Sequence, residues 1–143
     1  MSALADVISV ILVAIAALHG AWALRIWWPL RDETDLARAA VGTRDITKMP
    51  SPAACWTVVL VLLTGALWLQ LPREAGGLRG ALVLAGLGVM TLAFLARGVA
   101  AYVPALRRFG PEEPFATFDG RYYAPLCLAL AAGTAAVLLS GAP

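Results

Sequence analysis

Chemically reactive side chains are scarce in this chain of 143 residues, which has one histidine, two cysteines and only 14% charged residues. A single histidine excludes a haem held between two histidines of the same chain. Cys55 and Cys127 are isolated rather than part of a Cys-x-x-Cys pair, which excludes quinone-linked thiol oxidation. We expect both to be reduced packing residues. No metal site and no other cofactor is predicted.

Clustered basic charge is also lacking. The formal net charge is +2 and no Lys/Arg-rich run occurs, so nucleic acid is not an expected partner. Apolar residues are abundant instead: they make up 61% of the chain, far more than the core of a soluble protein of this length needs. These features predict an all-α integral membrane protein in the lipid bilayer. The abundance of arginine and alanine favours a bacterial protein, and hence the inner membrane.

Four apolar runs predict four membrane-spanning helices in a single domain that covers residues 1–143, because about 20 helical residues cross the hydrocarbon core. Pro29 should end the first helix, since proline interrupts the helical hydrogen bonds. Gly76-Gly77 predicts a short turn, so that spans two and three form a tight antiparallel hairpin. The predicted spans of this four-helix bundle are 4–28, 52–71, 78–103 and 122–139.

Two longer connections join the spans. In the first, Asp32 or Thr34 can cap a short helix that runs through Val41, with Gly42 at the position that favours a left-handed backbone. The second, from residue 104 to 121, is rich in proline and is predicted to be irregular but docked. The short helix is predicted to be interfacial, with its apolar face on the membrane surface. That face consists of Leu36, Ala40 and Val41.

Basic residues in short loops predict the orientation of a membrane protein. Eight lie in or beside the two long connections, two (Arg73 and Arg79) lie in the hairpin, and the termini have none. This distribution places both long connections in the cytoplasm and both termini on the other side. The eight are Arg25, Arg31, Arg38, Arg44, Lys48, Arg107, Arg108 and Arg121.

The two halves of the chain share a short pattern. Trp28-Pro29-Leu30-Arg31 at the end of span one resembles Val103-Pro104-Ala105-Leu106-Arg107 at the end of span three. Each is followed by a long connection and a span that opens with proline. An old duplication explains this pattern, and so does a common preference for proline and arginine where a span enters the cytoplasm.

Ionisable residues inside spans are costly, so each one is a candidate site. His19 lies nine residues before the predicted end of span one, which places it near the bilayer midplane, where it could relay a proton, orient a ligand or make a structural hydrogen bond. Trp22 lies one turn away on the same face. Arg97 needs an acidic partner. Asp119 is best placed to be that partner, in a structural ion pair or in a clamp for an anion or headgroup.

Two segments resemble a known family. Residues 115–128, Phe-Ala-Thr-Phe-Asp-Gly-Arg-Tyr-Tyr-Ala-Pro-Leu-Cys-Leu, are similar to the signature of the bacterial membrane family called domain of unknown function 3995. Residues 18–24 resemble its Leu-His-x-x-Trp-Ala motif, and Arg97 falls where its third helix carries an arginine. Ala124 departs from the serine that is usual in the family. The resemblance implies four spans but no activity, and it singles out His19, Trp22, Arg97, Asp119 and Tyr123.

Three functions remain open after this reading, and the sequence does not decide whether the chain is an enzyme. The leading hypothesis is a pocket open to the cytoplasmic leaflet, lined by those five residues, that binds or acts on a small amphipathic molecule. In it His19 would be the acid or base, and Arg97 would hold an anionic or carbonyl group. The second is a non-catalytic accessory subunit or scaffold of a larger membrane complex. The third is a small exporter that works as a homodimer, although no span interior holds an acidic residue.

Overall fold

The computed structural model describes residues 3–72 and 77–140, and the predicted all-α bundle is confirmed for them. Four long helices correspond to the four apolar runs. Three short helices and one π-helical turn lie in the connections. Arg73, Gly76 and the carboxyl-terminal end, to which predictions were also attached, lie outside the described residues. The elements are α1 (Ala3–Ala23), α2 (Glu33–Ala40), α3 (Pro52–Trp68), α4 (Gly77–Ala100), α5 (Pro104–Arg107), α6 (Phe115–Phe118), the π turn (Asp119–Tyr123) and α7 (Ala124–Ser140).

Three stretches in the described ranges are long and apolar enough to cross a membrane: Ala3–Ala23, Gly77–Ala100 and Phe115–Ser140. The fourth apolar helix, Pro52–Trp68, has 17 residues. At 1.5 Å per residue it is about 25 Å long, whereas the hydrocarbon core is about 30 Å thick. The helix at the predicted second span is therefore slightly shorter than the hydrocarbon core is thick.

Helix α1 ends at Ala23, five residues before the predicted end at Trp28. Arg25 has a φ angle of 63°, a left-handed backbone that stops a helix without proline. The backbone N–H of Ile26 donates to Ala21 O at 2.9 Å, and that of Arg25 donates to Trp22 O at 3.0 Å. These two bonds form a Schellman motif, so the helix is closed by its own carbonyl groups before the chain reaches Pro29.

The bundle consists of two helix pairs, α1 with α3 and α4 with α7, and each pair is joined by one long connection. Helix α1 also contacts α7. Helices α3 and α4, which were expected to form a tight hairpin, contact each other less than they contact these partners. Trp68 bridges them, because its indole N–H donates to Val83 O at 3.1 Å. The core residues at the centre are Ala5, Ile8, Leu12, Ala66, Leu69, Val83, Leu87, Leu130 and Val137.

Two polar contacts tie helices together within this apolar core. The hydroxyl groups of Thr91 and Thr134 lie 3.0 Å apart and join α4 to α7, and Thr134 is 0% exposed. Ser9 donates to Ala66 O at 3.1 Å and accepts from the side-chain amide of Gln70 at 2.9 Å, which joins α1 to α3. Each helix pair therefore has its own internal hydrogen bond, a contact that is common between helices in lipid.

Candidate functional site

The two long connections pack against each other at the end of the bundle where α1 and α4 finish. The backbone N–H of Glu112 donates to Gly42 O at 3.0 Å, and its carboxylate lies 3.6 Å from Nη2 of Arg38. The ring of Phe115 packs directly on Gly42 and Gly110, because a Cβ on either glycine would overlap it. The second connection is docked, as expected. Its backbone, predicted to be irregular, forms helical turns instead.

Helix α2 packs part of its apolar face against the protein. Leu36 is 3% exposed, and it belongs to a cluster with Met49 that packs against Trp22 and Trp27. The prediction that Leu36 faces lipid is wrong, because the chain after α1 folds back over this face of α2. The predicted cap is present: the side chain of Asp32 accepts from the backbone of the first turn at 2.8 Å.

Arg97 and Asp119 form an ion pair between the last turn of α4 and the π turn, with Nη2 and Oδ1 2.5 Å apart. Sequence analysis named these two residues as partners. The Arg97 side chain is 42% exposed and the Asp119 side chain is 14% exposed, so the carboxylate is the more enclosed member. The hydroxyl group of Tyr102 donates to Gly120 O at 2.9 Å and holds the π turn to the end of α4. Turns of this kind often occur at functional sites.

A cleft of about 350 Å³ opens beside this ion pair. Arg97, Asp119 and Arg107 of α5 line it. In the described part of the chain Arg107 makes no ion pair, so two arginines and one aspartate line the cleft and one of the arginines is unpaired there. Its walls are apolar, and they include Val41, Ala100, Ala101, Leu106, Phe109 and Phe115. Guanidinium groups beside apolar walls suit a ligand with an anionic head and an apolar body.

His19 and Trp22 border a second cavity of about 150 Å³, together with Met49 and Cys55. The Nδ1 atom of His19 lies 2.9 Å from Ile15 O; a carbonyl oxygen only accepts, so Nδ1 carries a proton. The rings of His19 and Trp22 have centroids 4.7 Å apart. His19 lies four residues before the end of α1, one turn from the helix end. The prediction that His19 lies near the bilayer midplane assumed that the first helix continues to residue 28, whereas α1 ends at Ala23.

Tyr123 connects the two halves of the molecule. Its hydroxyl group donates to Ala39 O at 3.0 Å, and its ring centroid lies 6.0 Å from that of Phe115. The five residues expected in one pocket are therefore divided: His19 and Trp22 border one cavity, Arg97 and Asp119 border the other, and Tyr123 ties α2 to the π turn.

Sequence reasoning missed the part that Arg107 and Val41 play in the cleft. Arg107 was counted only as a charge that orients the chain, although its place three residues after Pro104 marks it as part of a short helix that opens with proline. Val41 was assigned to a lipid-facing surface, but it borders both cavities. No pattern in the sequence indicates that second role, because it depends on how α2 docks on the second connection.

No curated protein and no solved structure matches this chain. The sequence model of one family does match, over residues 12–134, and that family is described as protein of unknown function (DUF3995). The matched range covers most of the chain and includes the residues of both cavities. It also contains the two segments on which the resemblance was based. The chain therefore belongs to the DUF3995 family.

Proposed function

We propose that this protein spans the membrane with four helices and binds a small amphipathic molecule with one negative charge in the cleft beside Arg97 and Asp119. The cleft is lined by the end of α4, by the second connection and by Val41 of the first, and eight basic residues lie in or beside these two connections. By the distribution of these residues, the cleft opens to the cytoplasmic leaflet and both termini lie on the opposite side. Helix α3, with 17 residues, is the second span and packs along α1.

The single observation that carries this proposal is the arrangement around Arg107. Its side chain is exposed and has no ion-pair partner among the described residues, and it lies in the same cleft as the Arg97–Asp119 pair. Two guanidinium groups and one carboxylate leave a local charge of one positive unit, which matches one negative charge on a ligand. Phe109 and Leu106 offer an apolar surface beside it.

The geometry supports binding rather than acid–base catalysis. A general acid or base must lie within hydrogen-bond reach of the group on which it acts. His19, which was the candidate for that role, borders a different cavity from the one that holds Arg97. A ligand whose head lies at the two arginines is therefore not placed against the imidazole.

The test is equilibrium binding of a radiolabelled saturated alkanoate to the full chain in nanodiscs of uncharged lipid, with empty nanodiscs as the blank. Arg107→Gln should weaken binding about tenfold, the effect of one hydrogen bond between charged groups. Arg121→Gln is the matched control. It removes the same charge from an exposed side chain that stacks on Tyr122, with its Cζ 5.6 Å from the ring centroid, and neither residue lines the cleft.

Three outcomes decide the matter. Loss of affinity in Arg107→Gln but not in Arg121→Gln supports the cleft as the site. Equal loss in both variants means that a general attraction to positive charge, rather than the cleft, binds the alkanoate. No binding above the blank by the wild-type protein refutes the proposed function. An alkyl phosphate probe in parallel shows whether a phosphate head is preferred to a carboxylate.

A further inference from the structure

We infer that Val41 limits the length of the alkyl chain that the cleft accepts, because Val41 lies between the cleft and the cavity beside His19. This inference rests on the proposed function. Val41 borders both spaces, the cleft of about 350 Å³ and the cavity of about 150 Å³. The charged head of the ligand binds at Arg97 and Arg107. Its apolar chain runs along the cleft until it meets Val41.

The backbone holds Val41 in place from both sides. Its N–H donates to Ala37 O at 2.9 Å, where it forms the carboxyl-terminal cap of α2. The next residue, Gly42, has a φ angle of 65°, accepts a hydrogen bond from the N–H of Glu112 at 3.0 Å and packs against Phe115. With the backbone fixed, the size of the side chain at position 41 decides how far the two spaces are separated.

The space beyond Val41 suits the far end of an alkyl chain. Its lining includes Trp22, Met49, Pro50 and Val58, and among the residues that the structure describes it contains no Asp, Glu, Lys or Arg. Each methylene group that moves from water into such a space strengthens binding about fourfold. The affinity of the wild-type protein for alkanoates should therefore rise with chain length up to a limit set by Val41. In a variant with a smaller side chain at position 41, the affinity should continue to rise beyond that limit.

The experiment measures competition by a homologous series of saturated alkanoates in the same nanodiscs. Val41→Ala should move the preferred chain length upward, with about a fourfold gain for each methylene beyond the wild-type limit. Val41→Leu should move it downward. Val99→Ala is the matched control, since it makes the same truncation at an exposed position of α4. It should leave the wild-type profile unchanged.

A second readout locates the chain directly. An alkanoate with bromine on its last carbon quenches tryptophan at contact distance. Val41→Ala should increase the quenching of fluorescence relative to wild type, and Trp22→Phe in the same background should remove that increase.

The results separate this inference from the proposed function. If the wild-type protein binds alkanoates and Val41→Ala has the wild-type length profile and quenching, Val41 does not separate the spaces and the inference is overturned alone. If the wild-type protein binds no alkanoate, both the proposed function and the inference are overturned. A shift shared by Val99→Ala also overturns the inference, because it would reflect general loosening of the bundle.

Discussion

Removal of one member of the Arg97–Asp119 pair should destabilise the protein more than removal of both. Arg97→Leu leaves Asp119 as an uncompensated carboxylate that is only 14% exposed, whereas Asp119→Leu leaves a guanidinium that is 42% exposed and can reach water. Loss of one partner of a fully buried pair costs about 3 to 5 kcal/mol, and an exposed pair is worth less than about 1 kcal/mol. We therefore expect about 2 kcal/mol for Arg97→Leu and about 1 kcal/mol for Asp119→Leu, between these limits.

The assay is a double-mutant cycle on unfolding in a fixed detergent. The double variant should recover more than about 2 kcal/mol relative to the sum of the two single losses, so that it costs less than either single change. Asp119→Leu combined with Arg121→Leu is the control, because Arg121 is two residues away in sequence but lies over Tyr122 and makes no ion pair among the described residues. Part of the coupling should disappear at high salt, since Arg97 is partly exposed. Strictly additive losses for Arg97 and Asp119 would refute the reasoning.

Two further predictions concern the cap and the orientation. Gly42→Ala should lower stability by about 1 to 3 kcal/mol, because alanine is strained at a φ of 65° and its Cβ would overlap Phe115, whereas Gly88→Ala on α4 should be close to neutral or stabilising. Thermal unfolding of both variants measures the difference, and equal melting temperatures would contradict the docking described. Alkaline phosphatase fused after Pro143 should be active, and a fluorescent protein that folds only in the cytoplasm should give no fluorescence at the same position. The reason is that eight loop basic residues lie on the predicted cytoplasmic side and two on the other. The reverse result would invert the proposed orientation.

The local features of this fold follow closely from the sequence. The apolar runs locate the four long helices, and Asp32 and Gly42 locate the two ends of α2. The Arg97–Asp119 pair also follows from a local argument, because an arginine inside a predicted span needs an acid at the same end of the bundle. In each case one or two residues and one physical cost determine the outcome.

Other features depend on tertiary structure that no local pattern encodes. Helix α1 ends at Ala23, just before Arg25, whose backbone is left-handed. Residues other than glycine rarely adopt this conformation, so the sequence pointed to Pro29 instead. Helix pairing is hidden because helices that are apolar all round do not show which face meets a partner. The division of the expected pocket follows from the docking of α2, which places Val41 between two spaces.

The pairing of α1 with α3 and of α4 with α7 also bears on the repeat within the sequence. Each pair consists of a helix, a long connection and a second helix, and Pro29 and Pro104 each lie in the connection that follows the first helix of their pair. This arrangement fits an old duplication, and it fits equally a common preference for proline and arginine where a span enters the cytoplasm. The two connections differ in structure, since one contains α2 and the other contains α5, α6 and the π turn.

The most direct test of the account is to locate a bound amphiphile by photocrosslinking. An alkanoate with a photoreactive group beside its carboxylate would be irradiated with the full chain in nanodiscs, and the labelled residues identified by mass spectrometry. The account predicts labels on the cleft residues Leu106, Phe109 and Phe115, with loss of labelling when excess unlabelled alkanoate competes. Labels confined to exposed positions on the long helices, such as Val10, Leu60 and Leu92, and unaffected by competition, would contradict it.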